Sequence, residues 1–413
     1  MSILYITYMG LSEPLLYSQG LAYLEGLSQK GFKITILSFE KKEAFDNKGE
    51  AISKMRARLE AQGIRWKILR YHKRPYFFST FFDITRGTLY ALYLKSRGDL
   101  DLIHARGTVP AVIAYLLHHF CGMKFLFDVR GLMAEEYVDG GMWKRGGLLY
   151  RMASHGERLF LRRSDGAIFL SHRIVGILQN SQPKLYRDHR AIQVIPSCVD
   201  LSRFSIPKEK DVELQKKFGL QNRFVFIYIG SLGTWYLLDE MLDFFKEATT
   251  VIPNAFFLIL TQSRVESFSD RLKERDIRQG DAVVSFCLPR EIPRHLSLAD
   301  AGLFFIRPCF SKLSSCPTKF GEYLASGLPV VINASIGDTD TVVEKEGIGV
   351  VLKEFHRQEY RQAALRLTGL IKEEGVRLRQ RCREVAEKHF SLQMGIDRYG
   401  VLYQALLRKD KGN

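Results

Sequence analysis

Lys319 and Glu322 stand three residues apart in the run Ser314-Ser-Cys-Pro-Thr-Lys-Phe-Gly-Glu-Tyr-Leu-Ala-Ser-Gly-Leu-Pro-Val-Val-Ile-Asn333. On a helix that spacing puts both side chains on one face. An ammonium group beside unpaired backbone N–H groups suits a diphosphate. A carboxylate one turn deeper suits the two hydroxyls of a ribose. The elements that must hold them are legible in the same run. Pro317 fits a helix start, where its missing N–H costs nothing. Gly327 fits the position just past the helix end, and Leu328–Ile332 is an apolar run of strand length. A helix entered this way aims the free N–H groups of Thr318 and Lys319 at whatever lies ahead of it, which makes an anion site. The same punctuation also describes an ordinary short helix with a solvated Lys–Glu pair.

Strand and helix signals alternate on both sides of this run. Ser2–Thr7 reads as a buried strand, Leu15–Lys30 as a helix that Gly31 ends, and Lys33–Phe39 as the next strand. Strands at Leu102–Ala105, Phe125–Val129 and Gly166–Leu170 follow, with helices at Val109–Phe120 and Gly147–Arg162 between them. The rhythm restarts with strands at Phe224–Ile229, Ala255–Leu260, Val283–Phe286, Ala301–Phe305, Pro329–Ile332 and Ile348–Leu352. Such alternation predicts an α/β chain of two Rossmann-like doubly wound domains. Residues 181–193, polar around Pro183, read as the linker, and Leu392–Leu407 has helical periodicity. The expected division is 1–188, 189–391 and a C-terminal helix over 392–413.

Composition narrows the function classes. The chain has 413 residues, room for two large domains or three small ones, and it is 46% hydrophobic and 26% charged, as soluble globular proteins are. Six cysteines without a Cys-x-x-Cys spacing argue for a reducing compartment and against structural zinc. No signal-like segment precedes the first strand and no apolar stretch reaches 18 residues, so the expected location is the cytoplasm, either free or peripheral at the inner membrane face. Net charge is +16, and residues 1–190 carry 29 Lys/Arg against 17 Asp/Glu. Residues 51–100 alone carry 11 against 3. The imbalance points to an anionic partner for the first half: lipid head groups, a nucleic acid or an acidic acceptor. In Lys73-Arg-Pro-Tyr-Phe-Phe-Ser-Thr-Phe-Phe82, with Arg65-Trp-Lys-Ile-Leu-Arg70 upstream, cations alternate with aromatics. That suits a membrane interface with Arg65, Lys67, Lys73 and Arg74 on the lipid or acceptor side. It also suits a helix to Lys95 that turns Phe77, Phe78, Phe81 and Phe82 into a core.

The run at 314–333 resembles the donor-binding signature of retaining GT-B glycosyltransferases of the family 4 type. Further segments match that family in order: Ile3-Leu-Tyr-Ile-Thr-Tyr-Met-Gly10, Leu102-Ile-His-Ala-Arg106, Val194-Ile-Pro-Ser-Cys-Val-Asp200, Phe226-Ile-Tyr-Ile-Gly-Ser231 and Leu298-Ala-Asp-Ala-Gly302. The resemblance implies two domains facing a central cleft, with the donor against the second, the acceptor over the first, and the last helix crossing back. It implies a hexosyltransferase moving a sugar from a nucleotide-diphosphate donor to a glycan or lipid-linked acceptor with retention, with no metal and no cofactor beyond the nucleotide sugar as co-substrate. Donor binding falls to Gly10, Gly230, Ser231, Arg307, Ser315, Thr318, Lys319 and Glu322. Lys319, Arg130 and His104 fall at the catalytic positions, and Arg106 and Glu135 on the acceptor side. A front-face reaction needs no protein base, because the departing phosphate oxygen helps remove the acceptor proton; the work is leaving-group stabilisation and placement.

The chain departs from the family in places. Ser314 stands where a first Glu is usual, Ser231–Tyr236 lacks the usual Arg and Lys, and Ser197-Cys198 replaces Asn-Gly. Arg307 either supplies the missing charge or is an exposed loop arginine. His104 is either a reacting group or a satisfied strand-end histidine, and Glu135 and Glu136 are either proton acceptors or helix-start carboxylates. Asp99-Leu-Asp101 and Asp338-Thr-Asp340 read as turns, not metal sites. Two other functions compete: a nucleotide-sugar epimerase on the same architecture, which needs His and carboxylate bases, and a basic nucleic-acid-binding protein. No helix-turn-helix, zinc-finger or ribonucleoprotein motif supports the last, and no nucleic-acid partner is expected.

Overall fold

The computed structural model describes residues 1–46, 49–98, 100–183, 191–263 and 265–408, without the side chains at 14, 46, 49–51, 76 and 77. Asp99 and residues 184–190 of the expected linker lie outside it. Two compact units emerge. One is Met1–Pro196 together with the chain from Leu392 onward, and the other is Ser197–Ser391.

The first unit is built on a seven-stranded sheet: β1 (Ser2–Thr7), β2 (Lys33–Glu40), β3 (Arg65–Arg70), β4 (Leu102–Arg106), β5 (Lys124–Asp128), β6 (Gly166–Phe169) and β7 (Ala191–Val194). All pairings are parallel, in the order β3-β2-β1-β4-β5-β6-β7. Parallel strands with helices on both faces are apolar along their whole length, and every residue of β1 is buried. The order reverses between β1 and β4, so the strand ends there form the switch point where such sheets open a crevice.

Three expectations about this unit need correction. The segment Arg65–Arg70, read as part of a basic surface, is the edge strand β3; Trp66 is buried and its Nε1 donates to Ser38 Oγ over 2.9 Å. Residues 191–193, read as the end of the linker, belong to the other edge strand, β7, which pairs with β6. The first unit therefore runs to Pro196 and not to residue 188. The expected helix Leu15–Lys30 is two α-helical pieces, Pro14–Leu16 and Ala22–Gln29, around a π-helical turn at Tyr17–Leu21.

The second unit repeats the plan with β8 (Phe224–Ile229), β9 (Ala255–Leu260), β10 (Ala282–Ser285), β11 (Ala301–Phe304), β12 (Val330–Asn333) and β13 (Gly349–Leu352). They are parallel in the order β10-β9-β8-β11-β12-β13. Counted from its own first strand this is the order 3-2-1-4-5-6 of dinucleotide-binding sheets. Phe226, Phe244, Phe245 and Phe257 are fully buried around its centre. Each such side chain contributes roughly 1.5–3 kcal/mol of burial.

Candidate donor and acceptor sites

The helix Thr318–Ala325 is fixed to the second sheet by Tyr323. Its ring lies against Gly302 of β11 so closely that a Cβ there would come within 2.3 Å of Cδ2. Its hydroxyl accepts the Ile229 N–H at the end of β8 over 2.9 Å. One side chain thus anchors the helix against β8 and β11 at the switch point. Pro317 is extended (φ −65°, ψ 124°) and leads directly into the first turn. Thr318 is half-buried there, and Ser315 just before it gives its N–H to Lys312 O over 3.1 Å.

Lys319 is not the mobile surface cation that its sequence position suggests. It is 6% exposed. Its ammonium lies 3.6 Å from the Tyr236 ring centre, 4.1 Å from that of Tyr228 and 5.9 Å from that of Phe304. Nζ has no hydrogen-bond partner. Ring faces attract a cation, but they satisfy none of its three N–H donors. Burial pushes the Lys319 amine well below the usual lysine range, and Glu322 opposes this only in part. Gly230 makes room for the ammonium: with φ at +133°, a Cβ on it would lie 3.0 Å from Nζ. A buried cation with no hydrogen-bonded counter-ion is costly and calls for one.

Glu322 sits half-buried one turn on. Burial raises its carboxyl pKa, while the Arg203 and Lys319 charges pull it down. The Gly230–Ser231 loop folds onto the loop after β11. Arg307 N–H donates to Trp235 O over 2.8 Å, and Leu237 N–H to Phe305 O over 3.0 Å. Ser231 is exposed, and its carbonyl accepts the Tyr228 hydroxyl. Arg307 is exposed on this loop. Ser314, at the position of the usual first Glu, is buried and gives its hydroxyl to Ser311 O over 2.6 Å. Sequence reasoning missed Lys312 and Trp235. Lys312 is buried with Nζ 3.9 Å from the Trp235 ring centre. Nothing in their spacing marks them, because the two loops meet only in the fold.

The first unit gathers a different set. Asp128 at the end of β5 is fully buried among Arg106, Arg130, His104 and Tyr399. Its Oδ2 lies 3.4 Å from Arg106 Nη1, 3.4 Å from His104 Nε2 and 3.2 Å from the Tyr399 hydroxyl; Oδ1 lies 3.8 Å from Arg130 Nη1. Burial alone would raise the Asp128 pKa. The charge of Arg130, with His104 and Arg106, outweighs it and holds the group at about 2. His104 is 1% exposed, with Nδ1 2.6 Å from the Tyr403 hydroxyl. Burial lowers its pKa and keeps the ring neutral. Both ring nitrogens are engaged, so His104 is the satisfied strand-end histidine and not a free base. The two guanidiniums outnumber the one carboxylate and leave one surplus positive charge.

Asp128→Asn is expected to cost about 2–4 kcal/mol of stability at neutral pH by leaving buried guanidinium charge unpaired. Because its folded pKa lies below the unfolded value of about 3.9, the contribution is present above that value and fades as pH falls toward about 2. Urea titrations at pH 7 and near pH 2.5 would show the difference between the two proteins shrinking; a constant difference would refute the assignment.

Gly10 does not open its loop to an anion. A Cβ there would strike Glu40 Oε2 at 2.2 Å, and Glu40 itself accepts Leu11 N–H over 2.6 Å and Ser12 Oγ over 2.9 Å. The space and the N–H that a phosphate would use are taken by a buried carboxylate. Glu135 lies in the first turn of the helix Met133–Asp139 and accepts Arg145 Nη2 over 2.8 Å and the Tyr150 hydroxyl over 2.7 Å. Glu157 was missed: buried, it accepts from Thr108 Oγ1 over 3.1 Å, and burial raises its pKa to about 7. Arg65, Lys73 and Arg74 are exposed and Lys67 is half-buried. Among the described residues no group of His, Cys, Asp and Glu side chains gathers as metal ligands would.

No family model matches the chain, and no curated protein matches it. Solved structures do. Sucrose-phosphate synthase from Thermosynechococcus elongatus superposes with a TM-score of 0.73 at 14% identity, over 99% of this chain and 100% of that one. A glycosyltransferase from Rickettsia africae gives 0.70 at 13%, over 100% and 99%. Anabaena HepE, solved in complex with UDP, gives 0.69 at 13%, over 98% and 100%. The chain has the GT-B fold. The likeness covers 99% of this chain and so takes in both Rossmann-like units. At these identities the likeness concerns the fold.

Proposed function

We propose that this GT-B protein is a glycosyltransferase that moves a sugar from a nucleoside-diphosphate donor to a hydroxyl of a glycan or lipid-linked acceptor. One observation carries the reading: the buried Lys319 ammonium, without a hydrogen-bonding partner, at the start of a helix over the β8/β11 switch point. A diphosphate is the ligand that would supply its missing counter-charge, with the first-turn N–H groups of Thr318 and Lys319 taking further oxygens. Glu322 then holds the ribose hydroxyls. The Gly230 backbone approaches closely enough for donor phosphate or sugar to lie against it. UDP and UDP-glucose bind Anabaena HepE, which shares the fold, so a uridine donor is the first to try.

In this reading the catalytic work is electrostatic. Negative charge grows on the leaving diphosphate as the glycosidic bond breaks, and a preorganised cation in a dry site stabilises that charge strongly. The acceptor hydroxyl attacks from the same face and its proton passes to the departing phosphate oxygen, which gives retention. Lys319 takes the place of a metal at the diphosphate. No protein base is required, in keeping with an enclosed, neutral His104. An epimerase would need free bases, but His104 is engaged by Tyr403 and Asp128, and Glu135 by Arg145 and Tyr150.

A thermal-shift screen with UDP, GDP, ADP, CMP and dTDP tests the proposal. A true ligand at about 100 times its Kd adds about 2.7 kcal/mol of stability. One nucleotide should raise the melting temperature by several degrees, and its sugar conjugate should then support transfer to acceptor. No shift with any of them would remove the donor site.

A further inference from the structure

The helix Tyr76–Ser96 carries its apolar side outward. From Phe78 onward its exposed positions are 78, 81, 82, 85, 89, 92, 93 and 96. At about 100° per residue these fall on one arc of roughly 120°. Six of the eight are Phe78, Phe81, Phe82, Leu89, Leu92 and Tyr93, and Phe78 is 70% and Phe81 66% exposed. This corrects the expectation that these phenylalanines enter a core; the Phe77 side chain lies outside the described residues. The core contact is made by the other side, through Gly87 against Ile113 and Phe39 and through buried Ala91. A contiguous exposed apolar stripe of this kind marks an interaction surface.

The charges around the stripe identify the partner. The helix has a single carboxylate, Asp83, and it is buried, accepting from the Tyr8 hydroxyl over 2.9 Å and from His72 N–H over 3.0 Å. The outer face therefore carries no negative charge. Lys73 and Arg74 are exposed just before it. Arg86 leans over the Phe82 ring at 5.6 Å and Arg97 over the Tyr93 ring at 5.9 Å. Aromatic rings flanked by cations match the boundary between acyl chains and anionic head groups. A second copy of the chain fits poorly, because a self-paired face would oppose cations with no carboxylate to meet them. Among the described residues no helix is long and apolar enough to cross a membrane.

We propose that this face docks the protein on an anionic lipid surface. Phe78, Phe81 and Phe82 enter the head-group boundary, and Lys73, Arg74, Arg86 and Arg97 engage lipid phosphates. The proposal rests on this helix and the cations beside it, and stands apart from the donor reading. Vesicle sedimentation of the full chain tests it, with phosphatidylcholine alone and mixed with phosphatidylglycerol, at low and high salt. The protein should pellet with the anionic vesicles at low salt and be released by high salt. Phe78→Ser/Phe81→Ser/Phe82→Ser should weaken binding by more than about tenfold, since each ring contributes buried apolar area. Lys73→Glu/Arg74→Glu, at two exposed positions, should also weaken it and answers the question if the triple variant fails to fold. Wild type left in the supernatant with anionic vesicles would overturn the proposal, as would equal pelleting of the folded variants. So would a dimer in sedimentation velocity that the triple variant disperses, which would show that a second copy covers the face.

Discussion

Lys319→Met is expected to abolish most turnover while making the free protein more stable. Methionine fills nearly the same space without the charge. In the ligand-free protein the ammonium is buried against Tyr228 and Tyr236 with no acceptor for its protons. Removing it should raise the unfolding free energy at neutral pH by about 1–3 kcal/mol. Turnover should fall by about 10²–10³-fold, the size expected for losing one preorganised group aimed at growing negative charge. The pH dependence has a definite sign. The folded Lys319 pKa lies below the unfolded value of about 10.4, so the unfolded state binds more protons in that window and wild-type stability rises with pH across it. The advantage of the methionine variant should therefore shrink as pH rises toward 10. Diphosphate binding by wild type should take up protons in calorimetry across buffers, and the variant should not. Unchanged turnover in Lys319→Met would rule out the catalytic role.

Glu322→Ala should cost about 10- to 100-fold in affinity for the nucleoside diphosphate that gives the largest thermal shift. Hydrogen bonds to a charged group contribute about 1.5–3 kcal/mol, and part of that is offset because the carboxylate is already disfavoured by burial. Inorganic pyrophosphate is the control. It lacks a ribose, so its binding should survive the substitution. If both ligands weaken alike, Glu322 acts through Lys319 and does not read the ribose.

The central strands were legible because parallel strands buried on both faces are unbroken apolar runs. Ser2–Thr7, Phe224–Ile229 and Ala255–Leu260 stand where the pattern put them. The two edge strands of the first sheet were not legible. Arg65–Arg70 and Ala191–Val194 meet a neighbour on one side only, so selection for continuous hydrophobicity is relaxed and they read as surface or linker. The helix Thr318–Ala325 and its Lys–Glu spacing were visible in the sequence. The burial of Lys319 was not, because Tyr228 and Tyr236, the rings that enclose it, lie more than eighty residues earlier. His104 and Gly10 stood at strand ends where chemistry is common. Their fate was decided by Tyr403, Asp128 and Glu40, partners that only topology brings near. The stripe on Tyr76–Ser96 was in the sequence too, but periodicity alone does not say which side of a helix faces water.

The terminal helix Leu392–Arg408 has a consequence for how the chain is made. Tyr399 and Tyr403, both buried on it, complete the enclosure of Asp128 and His104 at the centre of the first sheet. Those partners lie 271 and 299 residues upstream. The ribosome therefore delivers the second unit whole before it delivers the last piece of the first. Until the helix Leu392–Arg408 is made, the first unit waits with a charged, open seam that this helix closes, so a chain stopped short of it should be a target for chaperones and proteases.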